Sequence, residues 1–75
     1  MRISTIPDDP GYDLKAFRYT VFLDSQELHD CFTADEELGK AWIYVRGRDG
    51  AFRCDRSGKN LIEACVEGDI EIVEN

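Results

Sequence analysis

The run Lys40-Ala41-Trp42-Ile43-Tyr44-Val45-Arg46 constrains the fold more than any other part of the chain. Five apolar residues stand between two cations. In a pleated strand Ala41, Ile43 and Val45 share one face, and Trp42 and Tyr44 share the other. Both faces are apolar, so the run predicts a central strand with cover on each side. Its aromatic and β-branched content agrees with that reading.

The rest of the chain reads as shorter pieces of the same kind. Phe17, Tyr19, Val21 and Leu23 alternate with Arg18, Thr20 and Phe22, which is the period of a strand. Asp24-Ser25-Gln26 supplies a turn, and Glu27 to Thr33 is expected to return as a second strand. Ala34-Asp35-Glu36-Glu37-Leu38-Gly39 reads as an acidic loop with room for one short helical turn. After the central strand, Asp49-Gly50 is a hairpin signal and Ala51 to Cys54 a short return strand. Leu61 to Glu67 is read as a strand, with a helix as the alternative. Gly68-Asp69 turns the chain into Ile70 to Val73, where Ile70 and Ile72 point inward and Glu71 outward. Residues 1–13, with Pro7 and Pro10, read as an N-terminal arm. Residues 14–75 then form one small β domain. Six short segments cut by turn residues predict an all-β antiparallel meander that curls into a sandwich or a partly open barrel.

Size and composition restrict function. At 75 residues, 43% hydrophobic and 33% charged, the chain has the make-up of one soluble globular domain. A domain this short has little core to give up to a deep substrate pocket, which disfavours an enzyme. No apolar run is long enough for a membrane helix. The first residues lack the apolar stretch of a secretory signal, so a cytoplasmic location is expected. Cys31, Cys54 and Cys65 are odd in number and widely spaced, which fits reduced thiols rather than a disulfide framework.

Charge is unevenly distributed. The formal net charge is −7, yet Arg46, Arg48, Arg53, Arg56 and Lys59 cluster within residues 46–59. Residues 60–75 carry Glu63, Glu67, Asp69, Glu71 and Glu74 and no cation. Such charges first serve solubility and blunt strand edges; the functional alternative is an acidic surface that imitates a phosphate backbone or meets a basic partner surface. Direct nucleic-acid binding is not expected, because most of the molecule repels phosphate.

Chemistry-bearing motifs are sparse. His29-Asp30-Cys31 is the one local cluster with a base and a nucleophile, and on a strand His29 and Cys31 would point the same way. A zinc site needs more ligands, which Cys54 and Cys65 supply only if the fold gathers them. Gly47-Arg48-Asp49-Gly50 and Ser57-Gly58-Lys59 lack the spacing of a phosphate loop and read as turns. No cofactor is expected. Trp42 and Tyr44 either pack in the core or, if exposed, mark an interface, where aromatic residues and Arg concentrate binding energy.

The stretches Tyr19-Thr20-Val21-Phe22-Leu23-Asp24, Cys31-Phe32-Thr33-Ala34-Asp35 with the acidic loop to Gly39, and Gly68-Asp69-Ile70-Glu71-Ile72 resemble small uncharacterised proteins encoded in bacteriophage and prophage genomes. The likeness spans about Tyr19 to Val73, and the chain departs from it at Ser25, where those proteins often have Gly. The resemblance implies a phage or prophage gene acting in a bacterial cytoplasm and transfers no catalytic residue. With size and acidity, it leads to an expected non-catalytic accessory protein that binds a host or phage protein, such as an inhibitor of a host defence or nucleic-acid-handling protein. The expected contact residues are Asp35, Glu36, Glu37, Trp42, Tyr44, Arg46, Arg48, Glu67, Asp69 and Glu71. The alternative is a self-associating virion or assembly component, in which the basic 46–59 segment meets acidic ends. A small metal-dependent enzyme built on His29 and the three thiols is the third reading.

Overall fold

Most of the alternating segments are realised as strands, although the run that begins at Phe17 becomes regular strand only from Tyr19. A computed structural model describes residues 1–75. In chain order the strands are β1 (Arg2–Ser4), β2 (Tyr19–Leu23), β3 (Gln26–Glu27), β4 (Cys31–Asp35), β5 (Lys40–Tyr44), β6 (Glu63–Glu67) and β7 (Ile70–Glu74). The helical turn sits at Ala16–Arg18 as a single 3-10 turn rather than in the acidic loop. The protein is all-β, and its two antiparallel sheets are open, with no closed barrel. One sheet has the order β1-β4-β5-β6 and the other β3-β2-β7. No helix is long and apolar enough to cross a membrane.

The core lies between the two sheets. Ile3, Ala34 and Ala41 from the first face Val21, Ile70 and Ile72 from the second, and all six are buried. Tyr19, Leu23, Leu28, Cys31 and Val66 pack around them. Ala34 and Ala41 are directly opposite each other on β4 and β5 and have no exposed surface. Their small side chains let the second sheet approach the middle of the first. The stretch read from sequence as an arm contributes Ile3 to this core and pairs with β4 through β1.

Turn chemistry sets the strand order. Asp24 and Ser25 both have positive φ, at 50° and 70°, between the paired Leu23 and Gln26. Positive φ at both central residues matches the twist of a two-residue hairpin. β6 and β7 are consecutive but belong to different sheets, so the chain crosses the sandwich at Gly68-Asp69. A Cβ at Gly68 would lie 2.7 Å from Leu23 Cδ1 and 2.9 Å from an Asp24 carboxylate oxygen, so those side-chain ends would have to move to admit it.

Three expectations are corrected. Glu27 to Thr33 is not one strand: β3 stops at Glu27 and Asp30 takes a φ of 60°, which breaks the pleat before β4 begins. Ala34 and Asp35 belong to β4, so the acidic turn starts only at Glu36. Ala51 to Cys54 forms no strand, only isolated bridges between Arg46 and Phe52 and between Cys54 and Leu61. With turns on both sides, that piece is too short to hold a ladder. Leu61 to Glu67 is extended, with regular strand from Glu63.

Candidate functional site

The outer face of the β1-β4-β5-β6 sheet carries the most developed surface. Register places Thr33 opposite Trp42, and Trp42 opposite Cys65. Between Cys31 and Thr33 the β4 ladder shifts by one residue. Such a bulge opposes two residues to one and re-aims a side chain. Here it brings Phe32 to the same face as Thr33 and Trp42, and both line a groove of about 440 Å³ beside them. The far wall is the 6–10 segment, with Ile6, Asp8, Asp9 and Pro10, and Glu63 closes the β6 side.

Arg2 fastens that wall to the sheet. Its guanidinium donates to both Asp9 carboxylate oxygens at 2.9 and 2.7 Å and to Asp35 at 3.1 Å. It also lies over the Trp42 ring, 5.2 Å from the centroid. The Arg2 hydrogen bonds hold the Asp9 carboxyl below its usual range and raise Arg2 itself. Asp9 Oδ1 further accepts the Gly11 amide at 2.8 Å, an Asx turn that reverses the chain. Beneath the loop, the buried Ser4 and Thr33 hydroxyls share a hydrogen bond of 2.7 Å, and Ser4 Oγ accepts the Ile6 amide at 3.0 Å. No buried side-chain nitrogen or oxygen is left without a hydrogen-bond partner. With Arg2 held by two carboxylates, Asp8 and Glu63 leave the groove acidic around an aromatic floor.

The expected contact residues fall into two groups. Trp42 and Tyr44 are half-buried on this face, and Tyr44 stacks on Phe32 with ring centroids 4.5 Å apart. Phe52 meets Tyr44 edge-on at 6.1 Å. Arg46 spans Asp30, at 2.7 and 3.0 Å, and the Gly50 carbonyl, at 2.7 Å, and covers the Phe52 ring at 4.1 Å. That ion pair lowers the Asp30 carboxyl and raises Arg46, so Arg46 braces the base of the 46–59 loop. Arg48 is exposed, and so is every residue from Ala51 to Asn60.

The acidic group gathers at the opposite end, where Gly68 donates to the Gly39 carbonyl at 2.9 Å. Asp35 is buried and accepts the Leu38 amide at 2.9 Å. That bond, and then Arg2, holds its carboxyl below the ordinary range. Glu36 Oε2 accepts the Ile72 amide at 3.0 Å. Glu67 pairs with Lys40 at 3.7 Å, and Glu37, Asp69 and Glu71 are exposed.

His29 and the thiols do not converge. His29 is exposed beside Glu27, at 3.4 Å, while Cys54 and Cys65 are exposed elsewhere. No three His, Cys, Asp or Glu residues are arranged to hold a metal ion. Cys31 borders an open hollow with His29, but burial pushes its thiol up in pKa, and its Sγ lies 3.2 Å from the Thr33 carbonyl. An activated thiol needs the opposite shift.

The sequence alone does not place Arg2, Asp8, Asp9 or Phe32 beside Trp42. Asp9-Pro10-Gly11, a turn tripeptide within reach of a lone early Arg, was the available signal; the bulge that re-aims Phe32 left none. Comparison of the chain with protein-family models, curated proteins and solved structures finds no match.

Proposed function

We propose that this is a non-catalytic accessory protein of the phage type that works by binding another protein. The observation that carries the binding reading is the groove beside Trp42, with an aromatic floor and carboxylates at its rim. An aromatic surface supplies contact area at low entropic cost, and carboxylates select a cationic partner. Arg2 and Asp9 hold the wall in place before any partner arrives, which limits the ordering cost of association. The phage context rests on the sequence resemblance alone.

Affinity capture from bacterial lysate tests the reading, with the protein and its Trp42→Ala variant as baits at low and high salt. A partner held by the parent, weakened by salt and lost with the variant is expected. Equal retention by both baits, or no specific partner at low salt, overturns it.

The exposed basic loop favours one alternative, self-association through Arg53, Arg56 and Lys59 against acidic surface of a second copy. Sedimentation at several salt concentrations separates the two, since a strict monomer at high protein concentration excludes assembly.

A further inference from the structure

The ladder hydrogen bonds leave the edge of β6 open and uninterrupted over its five residues. The amide of Val45 bonds the Ile62 carbonyl, and the amide of Gly68 bonds the Gly39 carbonyl, at 3.0 and 2.9 Å. Those two bonds fix the phase of the β5–β6 ladder, because hydrogen-bonded pairs alternate. Ala64 and Val66 therefore bond β5, while the backbone N–H and C=O groups of Glu63, Cys65 and Glu67 point away from it. No backbone group outside the ladder reaches these three residues, and all three are exposed.

The other edges are covered, interrupted or short. β1 is covered by Gly11 and Asp13, which exchange backbone bonds with Ser4 at 3.0 and 3.1 Å. The Glu36 carboxylate caps the outward amide of Ile72 in the middle of β7. β3 is two residues long.

We infer that the open edge of β6, Glu63–Glu67, accepts an extended basic segment of the partner protein as an added strand, beside the Trp42 groove. Side chains on that edge decide the occupant. Glu63, Cys65 and Glu67 share the outer face with Trp42, since they pair in register with Tyr44, Trp42 and Lys40. An incoming strand that alternates Lys or Arg with small apolar residues sets its cations along the two carboxylates. A second copy of β6 would instead line up glutamates from both chains in one seam, which is unfavourable. The inference rests on the protein-binding reading and adds the mode and the chemistry of the partner segment.

The test uses three capped peptides: one alternating Lys and Val, the same peptide N-methylated on alternate amides along one edge, and one alternating Glu and Val. Amide exchange and NMR shifts of the full chain are followed during titration. The Lys peptide is expected to protect the amides of Glu63, Cys65 and Glu67. Methylation of the edge that faces β6 removes the backbone bonds and lowers affinity roughly tenfold or more, and the Glu peptide does not bind. The variant Cys65→Pro blocks the edge while leaving the β5 ladder intact, because that amide points outward. Shifts at Trp42 and Phe32 with the β6 amides unprotected overturn strand addition and leave the protein-binding reading standing. Equal binding of the Lys and Glu peptides, or a peptide methylated on the amides that face β6 and yet as tight as its parent, also overturns the inference. Partner capture unaffected by Trp42→Ala overturns the underlying reading instead.

Discussion

Gly68 donates its amide to the Gly39 carbonyl at 2.9 Å, and this bond ties the β4–β5 turn to the corner where the chain changes sheets. Gly39 sits at a φ of 66°, and a Cβ there would lie 2.9 Å from the Gly68 carbonyl oxygen. The atom in the way is backbone, so it does not swing aside. Gly39→Ala is expected to cost about 2 kcal/mol, from the left-handed backbone and the forced contact together. Urea unfolding reads this as a lower midpoint with an unchanged slope. A midpoint equal to the parent's would show that the corner is not held this way.

The β2–β3 turn leads to the opposite prediction. Ser25 has a φ of 70°, is exposed and uses its side chain in no hydrogen bond that anchors the turn. Asp24 differs, because its carboxylate accepts the Asp69 amide at 2.9 Å. Ser25→Gly therefore relieves strain without removing a contact, offset by a more flexible unfolded chain. A net gain of about 0.5–1 kcal/mol is expected, and Asp24→Gly is expected to destabilise. Thermal unfolding of the two variants side by side checks the pair, and a loss at Ser25→Gly defeats the account.

These two turns show which part of the fold the sequence made legible. Period-two alternation located β2, β5 and β7 and put Ile70 and Ile72 inward, because a half-buried strand must alternate. Gly68 and Asp24-Ser25 marked turns, because only a few residue types tolerate such backbone. What was hidden is long-range. Nothing local says that β6 and β7 lie in different sheets, or that Arg2 reaches Asp9 and Asp35 to build the wall of the groove. The β4 bulge adds one residue to a ladder, and the alternation of Leu28, Asp30 and Phe32 carries no trace of it. Asp35 reads as a contact residue of an acidic loop, and only its long-range partner Arg2 and the Leu38 amide show that it is buried and committed to the fold.

The Arg2 cluster makes stability depend on acid. Arg2 holds the Asp9 carboxyl below its usual range, and the Leu38 amide followed by Arg2 does the same for Asp35. Both groups are lower in the folded state than in the unfolded chain. Their stabilisation is therefore full above the unfolded carboxylate value, near about 4. It is lost as pH falls through the lower folded values. Melting temperature against pH is expected to drop across that window, and less steeply in Asp9→Asn. Trp42, the one tryptophan, lies under Arg2 and should change its emission over the same range. An Asp9→Asn profile as steep as the parent's would remove Asp9 from the explanation.

The three cysteines are expected to separate by reactivity. Cys54 and Cys65 are exposed, whereas Cys31 is half-buried against the core and burial raises its thiol. Thiolate is the reacting form, so a raised value and restricted access both slow attack. In a chromogenic thiol assay at neutral pH, two equivalents should react rapidly and the third slower by about tenfold or more. Denaturant should make all three alike, and Cys31→Ala should abolish the slow phase. A Cys31 that reacts as fast as the exposed pair in the native protein would mean that the hollow beside His29 activates a thiol, which would bring catalytic chemistry back into consideration.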